Sequence, residues 1–308
     1  MSLKRYLLNH ETNHAMKKTA LLLLIFLFGI LCTALSQERV LFFQTNWGNQ
    51  LSWDEFCKKA KASGFDGIDI WLPNNKESQQ DLKEALAKYD LKLNLMHGTV
   101  KGIPLAESLK KYETRLEELM QWNPVLINSH TGSDFFSYED NLKFIAIGNK
   151  LSKKYNIPVY HETHRGRFSY SMTETLKYLD KAKELPLTLD MSHWMVVHES
   201  LLQNQPDRWD TIIDNVHHIH ARVGFQEGPQ VNDPEAPEWK NALKAHIDIW
   251  ERIIKKGLKE HQGVFTVTSE FGPPSYMPTA PYTKMPLGDQ WKANVFVMNA
   301  LKQRLGIQ

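Results

Sequence analysis

The stretch Asn215 to Gly224, NVHHIHARVG, has the length and branching of a strand yet carries three histidines and an arginine. Side chains alternate across a strand, so His218, His220 and Arg222 share one face while His217 and Ile219 share the other. Similar residues stand where other apolar runs end: His97, Asn128 with His130, Glu162 with His164, Asp190 with His193 three positions on, and Glu270. If Glu162, Asp190 and Glu270 converge, three carboxylates repel one another unless something positive lies among them. Together with His220 they offer three oxygens and one imidazole, which suits one divalent ion such as Mn²⁺, Mg²⁺, Co²⁺ or Zn²⁺ better than a soft metal. A cation flanked by carboxylates suits proton abstraction beside a carbonyl, where it neutralises the charge of an enediolate. Glu162 and Glu270 are the candidate acid and base for opposite faces of such a substrate.

These residues need a frame that brings eight run ends together. The strand-like runs begin at Arg39, Asp66, Leu91, Pro124, Ile157, Pro186, Val216 and Gly263. Amphipathic helix patterns separate them, such as Ser52 to Gly64, where Ser52 and Glu55 have capping-box spacing and Gly64 marks a stop. The segment from Ser200 to Asp214 is a weaker helix, interrupted by Pro206. Eight strand–helix pairs predict an α/β fold, a single (β/α)8 TIM barrel, with the chemistry at the carboxyl ends of the strands. The alternative, an open doubly wound sheet, lacks a Gly-rich phosphate turn after any strand. The Pro-rich stretch from Gly272 to Pro286 follows the eighth strand, where a lid over the barrel mouth is expected.

Ahead of the barrel, Met16-Lys17-Lys18 and the thirteen residues Ala20 to Cys32 have the pattern of a secretory signal. The apolar run is short for a membrane span. Cleavage is expected after Ser36, which assigns 1–36 to a signal peptide and 37–308 to the barrel, in the periplasm or secreted. Attachment of a lipid at Cys32 ranks below simple export, because Leu31 is large for that motif; the membrane is reached only through an uncleaved leader. Losing Lys4, Arg5, Lys17, Lys18 and Glu11 turns the formal charge of +2 into −1, and no nucleic-acid footprint remains. Cys57 alone survives, so no disulfide framework is available. The composition is compatible with a homo-oligomer.

The motifs HETHRGR at His161, LDMSHW at Leu189, HIHARVG at His218 and TSEFG at Thr268 resemble the xylose-isomerase-like TIM-barrel superfamily, over essentially Arg39 to Gly306. That group includes ketose epimerases, sugar isomerases, inosose dehydratases and AP-endonuclease-type phosphodiesterases. The resemblance implies that Glu162, Asp190, His220 and Glu270 take the metal and that His193 helps hold substrate oxygens. It also implies an acid–base role for the two glutamates.

Some residues depart from the epimerase pattern. Phe168 and Gln226 occupy places where ketose epimerases tend to carry a second Glu and an Arg. Arg165, Arg167 and Arg222 are instead available to bind a carboxylate or polarise a keto oxygen. His97, His130 and Asp233 stand roughly where the endonuclease branch has further zinc ligands, but Glu235 replaces a histidine of that branch. His97, His130 and His164 are therefore expected as substrate-facing donors. Trp47, with Trp71, Trp194 and Phe271, is a candidate to stack on a pyranose, although core packing is the commoner fate of such rings. Export favours a non-phosphorylated sugar or keto-sugar as the small-molecule partner. The expected activity is a metal-dependent sugar isomerase or epimerase. A keto-sugar lyase or dehydratase using the same site is the enzymatic alternative, and a periplasmic sugar-binding or accessory subunit is the non-enzymatic one.

Overall fold

The computed structural model describes residues 39–182, 185–260 and 263–307, so the expected leader lies outside the described residues. Eight parallel strands close into a barrel in sequence order. They are β1 Arg39–Thr45, β2 Gly67–Trp71, β3 Lys92–Gly98, β4 Ile127–His130, β5 Val159–Glu162, β6 Leu187–Leu189, β7 Val216–Ala221 and β8 Val264–Ser269. Closure comes from β1 pairing with β8, where Val40 stands opposite Phe265 and Gln44 opposite Ser269. All eight predicted runs are strands of this barrel.

Helices α1 Trp53–Ala62, α2 Lys76–Tyr89, α3 Leu105–Met120, α4 Tyr138–Tyr155 and α5 Met172–Lys181 follow the first five strands. After them come α6 Met191–Val197, α7 Pro206–Ile213, α8 Lys240–Glu260 and α9 Gln290–Leu305. The capping box predicted for α1 is present: the Ser52 hydroxyl accepts from the Glu55 N–H, and the Glu55 carboxylate accepts from the Ser52 N–H at 3.1 Å. Pro206 opens α7 rather than interrupting it, because the first helical position has no amide hydrogen to contribute. The sequence pattern gave no sign of α6, which begins directly at the end of β6 with Asp190 as its N-cap.

Strand parity divides the polar residues between two environments. On the outer face, Phe42 lies under Lys302 of α9, and a Cβ at Gly257 of α8 would stand 2.2 Å from the Phe265 ring. The opposite parity turns Asp69, Asn94, Asn128, Glu162, Thr188, His218, His220, Thr266 and Thr268 into the barrel, all of them buried. The interior is therefore hydrogen-bonded and charged, in contrast to the Val, Ile and Leu layers usual inside such barrels. The apolar core occupies the shell between strands and helices, with Ile68, Leu95, Ile127, Ile219 and Val267 facing α-helical residues such as Phe56, Leu116, Phe144 and Trp250. No helix among the described residues is long and apolar enough to cross a membrane.

His246 of α8 ties this shell to the end of β7. The Ala242 carbonyl lies 2.8 Å from Nδ1, and the Gly224 N–H donates to Nε2 at 3.3 Å. A carbonyl only accepts and an amide N–H only donates, so both contacts require the neutral ring with its hydrogen on Nδ1. Burial lowers this imidazole from 6.5 to about 4. The unfolded chain then binds a proton that the folded chain refuses. Stability is full above pH 6.5 and declines as the pH falls toward 4. The thermal midpoint should fall through that window, less steeply in a His246→Asn variant; equal slopes would remove His246 from the pH dependence.

Candidate active site

The carboxyl ends of β5, β7 and β8 bring Glu162, His220 and Glu270 together at the barrel mouth. One donor atom from each lies within 4.8 Å of the others, and all three residues are buried. His220 Nδ1 stands 3.1 Å from Glu270 Oε2 and 3.5 Å from Glu162 Oε2. Glu162 Oε1 is buried without a hydrogen-bond partner, and Glu270 Oε2 and both His220 nitrogens, also buried, meet one another, Glu162 and Asp69 only in poorly aligned ion-pair contacts. Buried polar atoms so poorly satisfied are costly, and their convergence fits a divalent cation. Glu162 is also the most firmly held of the three: its Oε2 accepts from Asn128 Nδ2 and lies 2.9 Å from His130 Nε2. Burial opposes ionisation of Glu162, yet His130 and His220 prevail and hold it well below the usual carboxylate range. Burial likewise opposes charging His220, but Glu270 and Glu162 raise it well above 6.5. Without a cation, His220 is the group that takes up positive charge between the carboxylates.

Asp190, the fourth expected ligand, has a different environment. Its Oδ1 accepts from the Ser192 N–H at 3.0 Å and from the Ser192 hydroxyl at 2.6 Å, while its Oδ2 is ion-paired with Arg222 Nη2. Asp190 groups closely with Glu162 and His193, whereas His220 and Glu270 form their group with Glu162. Burial raises the Asp190 carboxyl to about 6, with Arg222 opposing that rise. Arg222 is itself buried, and its ring-facing contact to Tyr276, at 4.7 Å, closes the site from above. The expected substrate-binding role of Arg222 thus meets a guanidinium already committed to Asp190 in this structure.

His193 Nδ1 accepts from Arg165 Nε at 3.0 Å, and its Nε2 lies 2.9 Å from Arg222 Nη2 and 3.5 Å from Asp190 Oδ2, so arginines face both ring nitrogens. Burial and the neighbouring His164 keep it neutral. The rings of His130, His164 and His193 form a row, with centroids 4.5 Å and 3.9 Å apart. His164 Nδ1 donates to the Arg165 carbonyl at 2.6 Å, which leaves Nε2 as an acceptor toward the site. His130 and His164 thus stand beside His193 and Glu162 at the barrel mouth.

His97 does not stand there. It shares parity with Leu93 and Leu95, and its ring packs 4.4 Å from Tyr112 of α3, between the strand and helix layers. Burial lowers it to about 3, as fits a neutral core imidazole. The strand's final inward side chain is Met96, whose sulfur accepts from Asn128 Nδ2 at 3.3 Å. Assigning His97 from its place near the strand end gave the wrong face. Asp233, the other residue weighed for the endonuclease pattern, accepts from its own loop at the Glu235 N–H, 3.0 Å away.

Among the aromatics, Trp47 reaches the mouth, edge-on to Tyr276 at 4.7 Å and 5.9 Å from the Arg222 guanidinium. A Cβ at Gly272 would stand 2.4 Å from the Trp47 ring, so glycine is needed where the Pro-rich segment passes it. Trp71 is 49% exposed and touches the His130 ring edge-on at 5.7 Å. Trp194 and Phe271 are core residues, fully buried.

Two residues of the site escaped sequence reasoning. Tyr276, on the Pro-rich segment, lies over Arg222 and 3.4 Å from Arg165 Nη2 through its hydroxyl. Asp69 on β2 is 1% exposed, stands 3.4 Å from His220 Nε2 and accepts from the Thr268 hydroxyl at 2.8 Å. Its signal was available: a lone aspartate at the centre of the strand run GIDIW.

A closed parallel barrel with this mouth has the fold of the xylose-isomerase-like TIM barrels. The chain superposes on a xylose-isomerase-like TIM barrel protein from Mycobacterium smegmatis, solved with magnesium, at a TM-score of 0.58 and 11% identity, over 86% of this chain and 97% of that one. It superposes on the 3-keto-D-glucoside 4-epimerase of E. coli at 0.55 and 14%, over 86% and 100%. With a probable 3-DHS dehydratase of Bacillus anthracis the values are 0.55 and 16%, over 85% and 99%. No protein-family model matches the sequence, and no curated protein matches it significantly.

Proposed function

We propose that this protein is a divalent-metal-dependent isomerase or epimerase that moves a proton beside the carbonyl of a non-phosphorylated sugar or keto-sugar. The observation that carries this reading is the convergence of Glu162, His220 and Glu270 on one point with poorly satisfied donor atoms. Those three residues, with Asp190 once Arg222 releases it, would hold the ion. When bound, it supplies the positive charge against which an enediolate develops. Superposition on sugar epimerases and on a magnesium-bound barrel supports the reading at the level of fold.

The chain's own residues supply the remaining chemistry. Asn128 and His130 fix one oxygen of Glu162, which leaves Oε1 unpartnered and aimed as a proton acceptor. Glu270, from a strand three positions around the barrel, offers the second carboxylate for the opposite face of the substrate. His164 Nε2 and the Arg165 guanidinium are placed to orient substrate oxygens, and Trp47 with Tyr276 offers aromatic surface for sugar C–H groups. We further propose that the barrel acts outside the cytoplasm after cleavage behind Ser36, where free sugars outnumber phosphorylated ones. Loss of water from the same enediolate is the second reading, because the Tyr276 hydroxyl beside Arg165 can donate to a departing oxygen.

Incubating the metal-loaded protein in D₂O with aldoses, ketoses and 3-keto-glycosides tests both readings by NMR. Deuterium incorporation with a new isomer is expected, and loss of water would shift the assignment to a lyase. Binding without exchange, whatever the metal, would contradict the catalytic reading.

A further inference from the structure

Beneath the three converging residues, the barrel interior contains a second polar layer that the proposed chemistry does not use. Thr266, His218, Thr268 and Asp69 are buried there, from strands β8, β7, β8 and β2. The Thr268 hydroxyl donates to Asp69 Oδ2 at 2.8 Å, so it cannot also donate to His218 Nε2, which lies 3.1 Å away. His218 Nε2 faces Thr268 Oγ1 across that distance. On the other side of the ring, Nδ1 lies 2.7 Å from the Thr266 hydroxyl and 3.0 Å from the Thr266 carbonyl, which only accepts. This polar relay runs from Thr266 through His218 and Thr268 to Asp69, and its last bond is directed, Thr268 donating to Asp69.

The relay ends at His220. Asp69 Oδ2 stands 3.4 Å from His220 Nε2, while Nδ1 on the other side of the ring faces Glu162 and Glu270. If Nδ1 gives its lone pair to an ion, the ring hydrogen must reside on Nε2, and Asp69 is the acceptor in front of it. Asp69 Oδ1 has no partner at all, so the carboxylate can rotate without losing a second bond. We infer that Asp69, oriented by Thr268 and His218, is a positioning residue that fixes the ring and tautomer of His220 for a divalent ion. This inference rests on the metal reading of Glu162, His220 and Glu270.

A carboxylate behind a ligating imidazole raises its basicity and holds its orientation, and losing one costs about 10–100-fold in metal affinity. Titration calorimetry of Mn²⁺ into chelator-stripped protein should show that loss for Asp69→Asn, with the metal-free unfolding midpoint unchanged. Thr268→Val should weaken binding in the same direction, and Thr268→Ser, which keeps the hydroxyl, should restore it. The visible spectrum of the Co²⁺-loaded protein should shift in Asp69→Asn and Thr268→Val but not in Thr268→Ser. Wild-type affinity and spectrum in both weakened variants would overturn the positioning role alone. Absence of binding by the wild-type chain would overturn the metal reading and this inference with it. If Asp69→Asn does not fold, the threonine pair decides.

Discussion

Replacing Glu162 or Glu270 with glutamine is expected to lower turnover by about 10²–10⁴-fold, the usual contribution of a positioned acid or base. Glutamine keeps the shape of glutamate but cannot accept the proton. The two variants should differ in how they fail. Glu162 is anchored by Asn128 and His130, so its glutamine amide faces a donor where a carboxylate oxygen accepted two contacts. Glu270 is 7% exposed and lies 3.6 Å from Arg222 Nη1, a looser setting that tolerates the amide more easily. In a two-base mechanism each variant still permits one half of the exchange. Deuterium should then wash into one substrate epimer with Glu162→Gln and into the other with Glu270→Gln, while net conversion stops in both. Wild-type rates in both variants would remove the two carboxylates from the chemistry.

The second large effect concerns Arg222. Its guanidinium is buried against Asp190, also buried, and donates toward Ser192 at 3.3 Å. Truncation to Arg222→Met fills much of the space but leaves the buried Asp190 carboxyl without its counter-charge, to be held either ionised and unpaired or protonated. Removing one member of such a pair costs about 3–5 kcal/mol, which urea unfolding of the metal-free protein reads directly. The double variant Arg222→Met with Asp190→Asn should recover most of that loss, because no uncompensated charge remains. Saturating Mn²⁺ should also restabilise Arg222→Met more than the wild type, since an ion that binds only the folded state adds stability by mass action and here takes over the neutralising role. A loss under 1 kcal/mol, or no difference in metal response, would mean that Asp190 is not held ionised by Arg222 and does not join the ion.

Much of this frame was legible because each strand run is apolar, short and bounded, and because one capping box and several acidic or histidine strand ends announce themselves locally. The eight runs beginning at Arg39 and ending with Ser269 are all in the barrel, in order. What failed was side-chain direction. His97 sits one residue beyond the inward Met96, and a single step along a strand reverses the face. Asp69 was hidden for a different reason. Its relation to His220 crosses the interior between strands that are not neighbours, and no spacing along the chain encodes such a contact. Tyr276 depends on the path of an irregular segment, which is set by anchors such as Gln230 and Asn294 bonding Gly272 and Phe271. Arg222 was placed correctly near His220, but its engagement with Asp190 follows from helix α6, whose start at Asp190 the pattern did not reveal.

Manganese titrated into the chelator-stripped protein and followed by electron paramagnetic resonance counts free against bound ion. One ion per chain, lost on His220→Ala while the barrel stays folded, is the predicted result. No bound manganese, or the same occupancy with and without the His220 imidazole, would contradict it.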